Sequence, residues 1–592
     1  MGMRETSHRY PGLVPAGIVL AAVLVNLGTL NGGFPLDDRV QVERNVYIRN
    51  LADLPDIFSR ATWPGYVYRP LPIATYALTH AVVGLHPWLY HLTSILLHAA
   101  VAVLVFFCVR RVLDVGVAAL AALLFAVHPV HVEVVASVAN RTEMLVGLFG
   151  LSGLLVVLPA ANAQLRSRAA TAARVALGAL LFFAALLAKE HTLAFFLLLP
   201  VVLLARKHAD PEARWRRLPY EAWPGVLAIA LGTAAYLAAR SRVISQVYVG
   251  APIAPIDNWL VAVPPLDRIT HAFALLGRYV AILLIPRGLS ADYSLGTTGV
   301  TEDLTSPDSL LYMALASAAV AVTLLGLLRR SQECLFFGGW FLASFAVTSN
   351  VLFPIGVLFA DRLAYLPSIA LCALLAFLLA RIADPLLRRV AIAGVVVTFS
   401  ALTLSYGEVW HDNRTLFAYE LRNSPGSAWV HNGVGLDLLE RGANEEARRH
   451  FLQALRIYPA HMAAAHGIAM VEMREGDQVA ARAWLDRALH IDPKHAPSLN
   501  TLGVLELGAG RVDDAGRLFV RALNIDNLDL DARVGILAAT IRRGNLTQAT
   551  VMRDQLMAID PSRADLRKLS RDLDRELEST RASGPSHSGV SS

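Results

Sequence analysis

The sequence predicts an all-α protein: a polytopic membrane helix bundle followed by an α-solenoid of short helical repeats. Of its 592 residues, 55% are hydrophobic and only 17% are charged, whereas soluble globular domains carry about 25% charged residues. The apolar residues form long runs up to residue 406, and the chain beyond is polar and repetitive. We therefore assign 1–406 to a membrane domain, 407–427 to a linker, 428–565 to repeats, and 566–592 to a C-terminal helix and disordered tail.

The apolar runs predict about eleven spans, because a helix needs about 20 apolar residues to cross a bilayer. The first run lacks a small-residue cleavage site, so we expect it to be retained as a span. Residues 270–286 are almost apolar enough, but counting them would break the sidedness described next, and we expect a helix in the interface or lining a cavity. The predicted spans lie near 12–31, 88–109, 115–130, 143–160, 172–188, 191–205, 222–240, 308–328, 333–350, 363–380 and 390–406.

Basic residues in the short loops predict the orientation. All the clusters fall on one side when the spans are counted, and the positive-inside rule makes that side the cytoplasm. The first loop, the other polar loops and the repeats then face the opposite side. The net charge of +6 reflects this orientation, and no nucleic-acid partner is predicted because no basic face accompanies a reading motif. The clusters are Arg110-Arg111, Arg166/Arg168/Arg174, 206–217, Arg329-Arg330 and 381–389.

The polar region repeats with a period of 34 residues. Small residues recur where two helices would touch, and large apolar residues occupy one matching position in each unit. This is the tetratricopeptide (TPR) pattern, with three strong repeats and a weaker fourth (530–563) that is a candidate cap because it carries Arg553 at the large apolar position. The periodic positions include Ala447, Ala481, Ala515 and Ala549; Ala454, Ala488 and Ala522; Phe451, Leu485 and Phe519; Pro459, Pro493 and Pro561, with Asn527 in the missing slot; and Gly435 and Gly503.

A TPR array forms a concave groove, and such grooves commonly bind polypeptide. We therefore expect a protein or peptide partner there, and a structural or self-associating appendage is the alternative. The sequence names no individual groove residue.

An acidic pair, Asp37-Asp38 in FPLDDRVQVERN (34–45), lies just past the first span. Ionisable groups near membrane depth are candidates for a functional site. The plain alternative is a pair of loop carboxylates in water.

Further polar residues on the same side lie near span ends, where they could share one cavity with the pair. A carboxylate there can take a proton from a hydroxyl, and cations can stabilise a departing phosphate. The plain alternatives are that each histidine packs against its neighbours, which is the more frequent case, and that each cation is a solvated loop charge. His128, His131 and Glu133 form only a weak metal motif. The three cysteines, Cys108, Cys334 and Cys372, show neither disulfide nor metal-ligand spacing. The polar residues are Arg69, His91, His128, His131, Glu133, Arg141, Glu143, Lys189, Glu190, Asp292, Asp361 and Arg362, with Tyr68 and Tyr293 beside them.

Several motifs, in this order and followed by TPR repeats, resemble the transmembrane-and-TPR O-mannosyltransferase family and its bacterial relatives, which belong to the GT-C class of membrane glycosyltransferases. The resemblance covers nearly the whole chain. The motifs are FPLDDRVQVERN, YRPLPIATYAL (68–78), YHLTSILLH (90–98), HPVHVEVVASVANRTEML (128–145), AKEHTL (188–193), LLIPRGLSADYS (283–294) and ADRLAYLPS (360–368).

The resemblance implies a GT-C-like fold and a polyprenyl- or dolichyl-phosphate sugar, mannose or another hexose, as donor. It implies that Asp37-Asp38 supplies the catalytic base, without choosing between them, and that Glu143 assists. Arg362 is the first candidate for the donor phosphate, with Lys189 and Arg69 behind it. His91, His128, His131 and Asp361 are supporting candidates, and Asp361-Arg362 departs from the family's common Glu-Arg.

The expected enzyme moves a sugar to a protein Ser or Thr hydroxyl, or to a glycan, in a bacterial inner membrane with periplasmic repeats, or on the lumenal side in a eukaryote. It is expected to require no cofactor, because a single donor phosphate needs no metal, although metal dependence stays open. The first alternative is a non-catalytic membrane-anchored TPR scaffold for envelope assembly. The second is a secondary transporter, which the absence of an inverted sequence repeat disfavours.

Overall fold

The computed structural model describes residues 12–62, 67–159, 167–206, 211–244, 253–294, 297, 303–526, 529–561 and 563–582. These residues form helices and turns, and one isolated bridge, Thr62 with Val67, is the β-pairing found among them. The predicted all-α fold class is confirmed.

The chain forms two compact units. The first comprises the described residues of Met1–Glu43, Asn50–Thr62 and Tyr66–Val430, and the second includes Arg44–Arg49 and His431 onward. The segment predicted as a linker, 407–427, contains a helix and lies in the first unit. The predicted disordered tail from 583 lies outside the described residues.

The first unit contains seventeen helices in the part of the chain that the structure describes. They are α1 Leu13–Asn26, α2 Leu54–Ser59, α3 Pro70–Val83, α4 Pro87–Val109, α5 Val115–Ala126, α6 Val132–Ala136, α7 Arg141–Val157, α8 Arg168–Ala188, α9 Phe195–Ala205, α10 Pro211–Val243, α11 Pro265–Leu284, α12 Pro307–Leu328, α13 Gln332–Cys334, α14 Trp340–Phe345, α15 Ser368–Ala380, α16 Pro385–Val409 and α17 Asn413–Asn423.

Short 3-10 and π-helices join or extend these elements. The 3-10 helices are Leu27–Asn31, Leu51–Asp53, Pro129–His131, Val138–Asn140, Glu190–Ala194, Trp259–Val261 and Asp361–Ala364, with Val46–Ile48 in the second unit; the π-helices are Arg39–Glu43 and Leu335–Gly339. Many of the site residues described below lie in or beside these short helices, where the chain turns between apolar elements.

Seven helices among the described residues are long and apolar enough to cross a membrane, or eight if the bent pair α5 with Pro129–Ala136 counts as one span. Every one of the eleven predicted spans coincides with helical structure, so the difference lies in length. The predicted spans 191–205 and 363–380 are short apolar helices, and 333–350 contains three short consecutive pieces. The seven are Leu13–Asn31, α4, Val138–Val157, α8, Trp215–Val243, α12 and α16.

The segment 270–286 is part of α11, a 20-residue helix that does not meet the same criterion for a span. It packs against α12 and buries Arg278 on its inner side. The interfacial or cavity-lining role expected for it stays a prediction.

The second unit is built from paired helices. In the described residues the first helices of the pairs are α18 Ala428–Glu440, α20 Met462–Glu475, α22 Ala496–Gly508 and α24 Leu530–Arg542; the second helices are α19 Asn444–Ile457, α21 Gln478–Ile491, α23 Val512–Ile525 and α25 Leu546–Ile559; and α26 Ala564–Ala582 follows.

The predicted repeat register matches the packing of these pairs. Phe451 is fully buried against Gly435, where an added Cβ would lie 2.6 Å from the ring. Phe519 is buried against Gly503 in the same way, with a corresponding distance of 2.7 Å. The glycines are therefore required at these positions because the aromatic ring takes the space of a side chain.

The fourth pair folds like the others, and the unit is covered by α26. Leu566 and Leu573 of α26 pack in one apolar cluster with Val534 and Leu537 of α24. Arg553 takes the large apolar position because α26 offers it Asp574, whose Oδ1 lies 2.6 Å from the guanidinium. The fourth repeat is therefore not the cap expected from the sequence, since α26 has that place.

Candidate functional site

Most of the predicted site residues come from turns at the ends of apolar helices in the first unit. Asp37 and Asp38 follow the Leu27–Asn31 turn, Glu143 lies in the first turn of α7, and Lys189 directly follows α8. Arg362 lies in the short helix that leads to α15. Such turns leave backbone and side-chain groups free to be arranged by the rest of the fold.

Asp38 is fully buried and its carboxylate is already occupied. Its Oδ1 accepts hydrogen bonds from Ser137 Oγ at 3.0 Å and from the backbone N–H of Ala139 at 2.7 Å, and its Oδ2 accepts one from Val138 N–H at 2.9 Å. Burial raises the pKa of Asp38 to about 7, and these donors oppose the rise. Asp38 therefore fixes the start of the Val138–Asn140 turn that leads to α7.

Asp37, its neighbour, is exposed. Enough of the protein surrounds the carboxylate that loss of water raises its pKa, and the positive charge of Arg362 opposes the rise. The two adjacent acids therefore have different environments. The carboxylate of Asp38 is buried and hydrogen-bonded, whereas that of Asp37 is accessible and interacts with Arg362. The sequence alone could not separate them.

Arg362 forms an ion pair with Glu133, a residue that the sequence suggested only as part of a weak metal motif. The guanidinium Nη1 lies 2.5 Å from Glu133 Oε1, and the backbone N–H of Arg362 donates to Oε2 at 2.9 Å. The Glu133 side chain is 2% exposed while that of Arg362 is 25% exposed. The carboxylate therefore orients the arginine and leaves part of its cationic face open.

Lys189 is arranged in the same way. Its Nζ forms an ion pair with Glu143 Oε1, and Glu143 is almost completely buried. His191, which was not among the predicted site residues, places Nε2 3.3 Å from the other Glu143 oxygen, and its buried Nδ1 has no partner among the described residues. Glu143 thus positions a cation and an imidazole.

Arg69 is the third of these cations with a carboxylate partner. Its Nε and Nη2 donate to Glu190 Oε2 at 2.9 and 2.7 Å, and Tyr236 donates its hydroxyl proton to Glu190 Oε1 at 3.1 Å. Arg69 lies within electrostatic range of Glu143 and Lys189. Arg362 lies within range of Asp37, Glu143 and Lys189, so the structure brings these predicted residues together.

The supporting histidines are packed rather than open. His91 Nε2 lies 2.9 Å from the carbonyl of Gly33, so it holds the chain just before the acidic pair. His128 accepts from Val130 N–H through Nδ1 and contacts the Leu283 carbonyl through Nε2 at 3.0 Å. His131 contacts Ser368 Oγ and a backbone carbonyl, both at 2.9 Å. Each is buried, so these residues support loops.

Asp361 is turned away from its neighbour Arg362. It is fully buried and accepts from the Ser290 backbone N–H at 3.1 Å and from the Tyr293 hydroxyl at 2.8 Å. Burial raises the pKa of Asp361 well above its ordinary value. Its contacts anchor the 288–294 loop, while Arg362 pairs separately with Glu133.

Glu133 and Glu190 were candidates at the span ends without a catalytic or phosphate-binding role, and His191 was not predicted. Two of them had a visible signal, since Glu190 and His191 adjoin Lys189 in a turn between apolar helices. Glu133 had none for its present contact, because its partner lies far along the chain. No group of three or more His, Cys, Asp or Glu side chains suited to a metal ion occurs within the described ranges.

The chain is similar to curated protein O-mannosyl-transferases. It is 28% identical over 526 residues to protein O-mannosyl-transferase TMTC1 of Homo sapiens, covering 78% of this chain and 57% of that protein. It is 26% identical over 460 residues to TMTC3 of Mus musculus, covering 72% and 49%. It is 24% identical over 475 residues to F38B6.6 of Caenorhabditis elegans, covering 75% and 62%. The chain thus spans about half to three-fifths of the length of these relatives.

No protein-family model matches the chain. Among solved structures it is similar to YrrB, described as a TPR protein with an unusual peptide-binding site, with 19% identity and a TM-score of 0.22 over 29% of this chain and 89% of that one. PilW, a type IV pilus biogenesis factor, gives 22% identity and a TM-score of 0.23 over 33% and 89%. The relatives agree with the family resemblance seen in the sequence, and a bacterial origin stays a prediction.

Proposed function

We propose that this chain is a multi-pass membrane glycosyltransferase that moves a sugar, mannose or another hexose, from a polyprenyl-phosphate carrier to a Ser or Thr hydroxyl of a protein or to a glycan. The observation that carries the proposal is the accessible carboxylate of Asp37 beside the partly open guanidinium of Arg362. The similarity to protein O-mannosyl-transferases supports a protein acceptor and mannose.

Asp37 is proposed as the general base. It accepts the proton of the acceptor hydroxyl, whose oxygen then bonds to the anomeric carbon while the bond from that carbon to the phosphate oxygen breaks. The electron pair of the broken bond leaves with the lipid phosphate. A base works best when its pKa approaches the working pH, and the raised pKa of Asp37 is in that direction. Asp38 is a positioning residue, since its oxygens are occupied.

Arg362 and Lys189 are proposed to hold the leaving phosphate, with Arg69 as a further candidate. Buried Glu133 and Glu143 fix two of these cations from the protein side, so that their remaining N–H groups need no reorganisation when charge develops. We propose that no cofactor is needed, because the donor carries a single phosphate. Transfer that survives EDTA would agree with this, and loss restored by a divalent cation would contradict it.

The reaction is proposed to occur on the lumenal or periplasmic face, with the repeats on the same side to present the acceptor. Three helices support this, because each has its site end opposite a basic end. His91 lies near the start of α4 and Arg110 follows its end; Arg168 begins α8 and Lys189 follows it; Arg362 precedes α15 and Arg381 follows it. Basic ends favour the cytoplasm. A phosphatase fused to the C-terminus would report on which side of the membrane the repeats lie. A fused phosphatase located in the cytoplasm would contradict this sidedness.

Asp37→Asn tests the proposal. In a purified-protein assay with polyprenyl-phosphate mannose and a Ser/Thr peptide, transfer should fall about 100-fold or more, the range for loss of a general base. Membrane level and thermal stability should stay normal. The matched control is Asp56→Asn, an exposed acid of the same first loop, which should keep full transfer.

Asp38→Asn should instead lower both the stability and the protein level. The asparagine NH2 group would replace one carboxylate oxygen and would face hydrogen-bond donors that it cannot accept from. A wild-type rate in Asp37→Asn would remove Asp37 as the base. Normal growth and assembly phenotypes in both variants, with no transfer by wild type, would favour the non-catalytic scaffold.

A further inference from the structure

The residue before the acidic pair has an uncommon backbone conformation. Leu36 has a φ of +50°, in the left-handed region that residues other than glycine rarely adopt. Two other non-glycine residues in the described chain have a positive φ. Arg330 is an exposed residue after α12, and Asn350 is of a type that tolerates this region. Leu36 has neither feature. Strain of this kind persists only where surrounding contacts hold it, and it concentrates at functional sites.

Two hydrogen bonds to the start of α17 hold the segment in this conformation. The backbone N–H of Leu36 donates to Asn413 Oδ1 at 2.9 Å, and that of Gly33 donates to the carbonyl of His411 at 2.8 Å. Leu36 and Asn413 are 377 positions apart, so only the packed structure brings them together. Asn413 is itself well fixed, because it begins α17 directly after Asp412, whose side chain caps that helix.

Asp37 is the single residue between two anchored neighbours. On one side, Leu36 is bonded to Asn413. On the other side, Asp38 accepts hydrogen bonds from backbone N–H groups of the Val138–Asn140 turn. Consecutive Cα atoms are about 3.8 Å apart, so the backbone of Asp37 has little room to move although its side chain is exposed. The contacts of its neighbours therefore set the position of the proposed base.

The second half of α17 holds the loop that is bonded next to Arg362. Glu420 accepts two hydrogen bonds from the 288–294 loop, at 2.5 and 2.8 Å, and the hydroxyl of Tyr419 donates to a carbonyl of this loop at 3.0 Å. Asp361 accepts two further hydrogen bonds from the same loop, and the next residue in the chain is Arg362. This helix therefore has contacts on both sides of the proposed site.

We propose that Asn413 is a positioning residue and that α17 sets the distance between Asp37 and Arg362. Asn413 and Glu420 are two helical turns apart, about 10 Å along the axis. A single short helix is thus bonded to the segment that carries the base and to the loop beside the phosphate-binding cation. The inference rests on the proposed function, because it assigns those two roles to Asp37 and Arg362.

Loss of the bond to Asn413 should move the base without changing the groups that bind the substrates. Leu36 can then relax from its left-handed conformation, and Asp37 turns with it. A misplacement of about 1 Å can lower a rate by up to about 100-fold. Since the reacting geometry changes and the phosphate contacts do not, kcat should fall while KM stays nearly the same.

Asn413→Ala and Asn413→Asp test the inference with the full chain in nanodiscs, polyprenyl-phosphate mannose and a Ser/Thr peptide. The alanine has no acceptor for the Leu36 N–H, so kcat should fall about 10-fold while KM for both substrates changes less than about 2-fold. The aspartate keeps an acceptor oxygen at the same distance along the side chain and should restore kcat to within about 3-fold of wild type.

The matched control is Asn50→Ala. Asn50 is an exposed asparagine of the first loop, and its Oδ1 also accepts a backbone N–H, that of Ala52, at 3.0 Å. This bond is local and has no connection to α17. Asn50→Ala should therefore keep the wild-type kcat and KM.

A second measurement requires no catalysis. Hydrogen exchange is followed by mass spectrometry in a peptide that covers residues 32–39. The amide of Leu36 should exchange at least about 10-fold faster in Asn413→Ala than in wild type, because its acceptor is gone. Asn413→Asp and Asn50→Ala should exchange like wild type.

Unchanged exchange in Asn413→Ala would overturn the inference. So would faster exchange with a wild-type kcat, a rise in KM without a fall in kcat, or failure of Asn413→Asp to restore transfer. Faster exchange and a lower kcat in Asn413→Ala, combined with wild-type transfer by Asp37→Asn, would refute Asp37 as the base and leave the positioning contact standing.

Discussion

The ion pairs of the two units differ in how far apart their partners lie in the sequence. In the repeat unit, Arg448 meets Glu472 and Arg482 meets Glu506, each pair 24 positions apart. In the first unit, Arg362 meets Glu133 across 229 positions, and Arg69 meets Glu190 across 121.

This difference in sequence separation follows from how each fold positions the neighbours of a side chain. In the repeat unit every side chain has neighbours set by the 34-residue period, so one environment recurs along the chain. In the first unit the ion pairs of the site, such as Arg362 with Glu133 and Arg69 with Glu190, join turns that are far apart in the chain, and neither belongs to a repeating pattern. A substitution in the array should therefore have a counterpart one or two periods away, whereas a substitution in the first unit should have none.

The largest expected effect tests this recurrence. Phe451→Ala and Phe519→Ala each remove a fully buried ring facing glycine, and each should destabilise the array by about 3–5 kcal/mol. Hydrogen exchange of the array in the full-length protein is the measurement, and sugar transfer to a free short acceptor is the control. Clearly unequal effects of the two substitutions would show that the two repeat positions do not share one environment.

The next effect concerns Glu420 of α17, which is fully buried and accepts from Ser290 Oγ at 2.5 Å and Ala291 N–H at 2.8 Å. Burial raises the pKa of Glu420 to about 7. The folded protein therefore binds this proton more tightly than the unfolded chain, and stability falls as pH rises from about 4.3 toward about 7.

Glu420→Gln imitates the protonated acid and should remove this fall. The stability of the variant relative to wild type should rise by about 2–3 kcal/mol between pH 5 and pH 8. The apparent melting temperature of both proteins, followed from pH 5 to 8, is the measurement. Parallel curves would show that Glu420 does not titrate in this interval.

A smaller effect separates the cations of the site. Arg362→Lys keeps the charge but loses the planar guanidinium whose Nη1 pairs with Glu133, and transfer should fall about 10-fold. Arg69→Lys should cost less than about 3-fold, because Arg362 is the cation whose charge acts on Asp37. The transfer rate at saturating donor is measured, with membrane level as control. A larger loss in Arg69→Lys would reverse the proposed order of phosphate contacts.

The smallest effect returns to the array. Arg517 pairs with Asp514 one turn away, but both side chains are exposed, at 74% and 46%. Arg517→Ala should therefore change the unfolding free energy of the array by less than about 0.5 kcal/mol. Pulse proteolysis can measure this, and a loss above about 1 kcal/mol would mean that the surface pair is coupled to the buried packing.

The site was only partly predictable from the sequence. Asp37, Glu143, Lys189, Arg69 and Arg362 could be gathered as polar residues at span ends. In the structure Arg362 lies within electrostatic range of Asp37, Glu143 and Lys189, and Arg69 lies within range of Glu143 and Lys189. Their partners were not recoverable in the same way, because the sequence has no period that connects Glu133 to Arg362. The roles assigned to all of them stay proposals.

Hydrophobic runs and the 34-residue period by themselves determined the helical class, the membrane region and the register of the repeats, because both are local patterns that each segment must satisfy alone. Only the tertiary structure decided which carboxylate of the pair is buried, which acid orients which cation, and that α26 covers the last repeat. These outcomes depend on which turns the packed helices bring together, and desolvation and hydrogen bonding act on a side chain only after that packing exists.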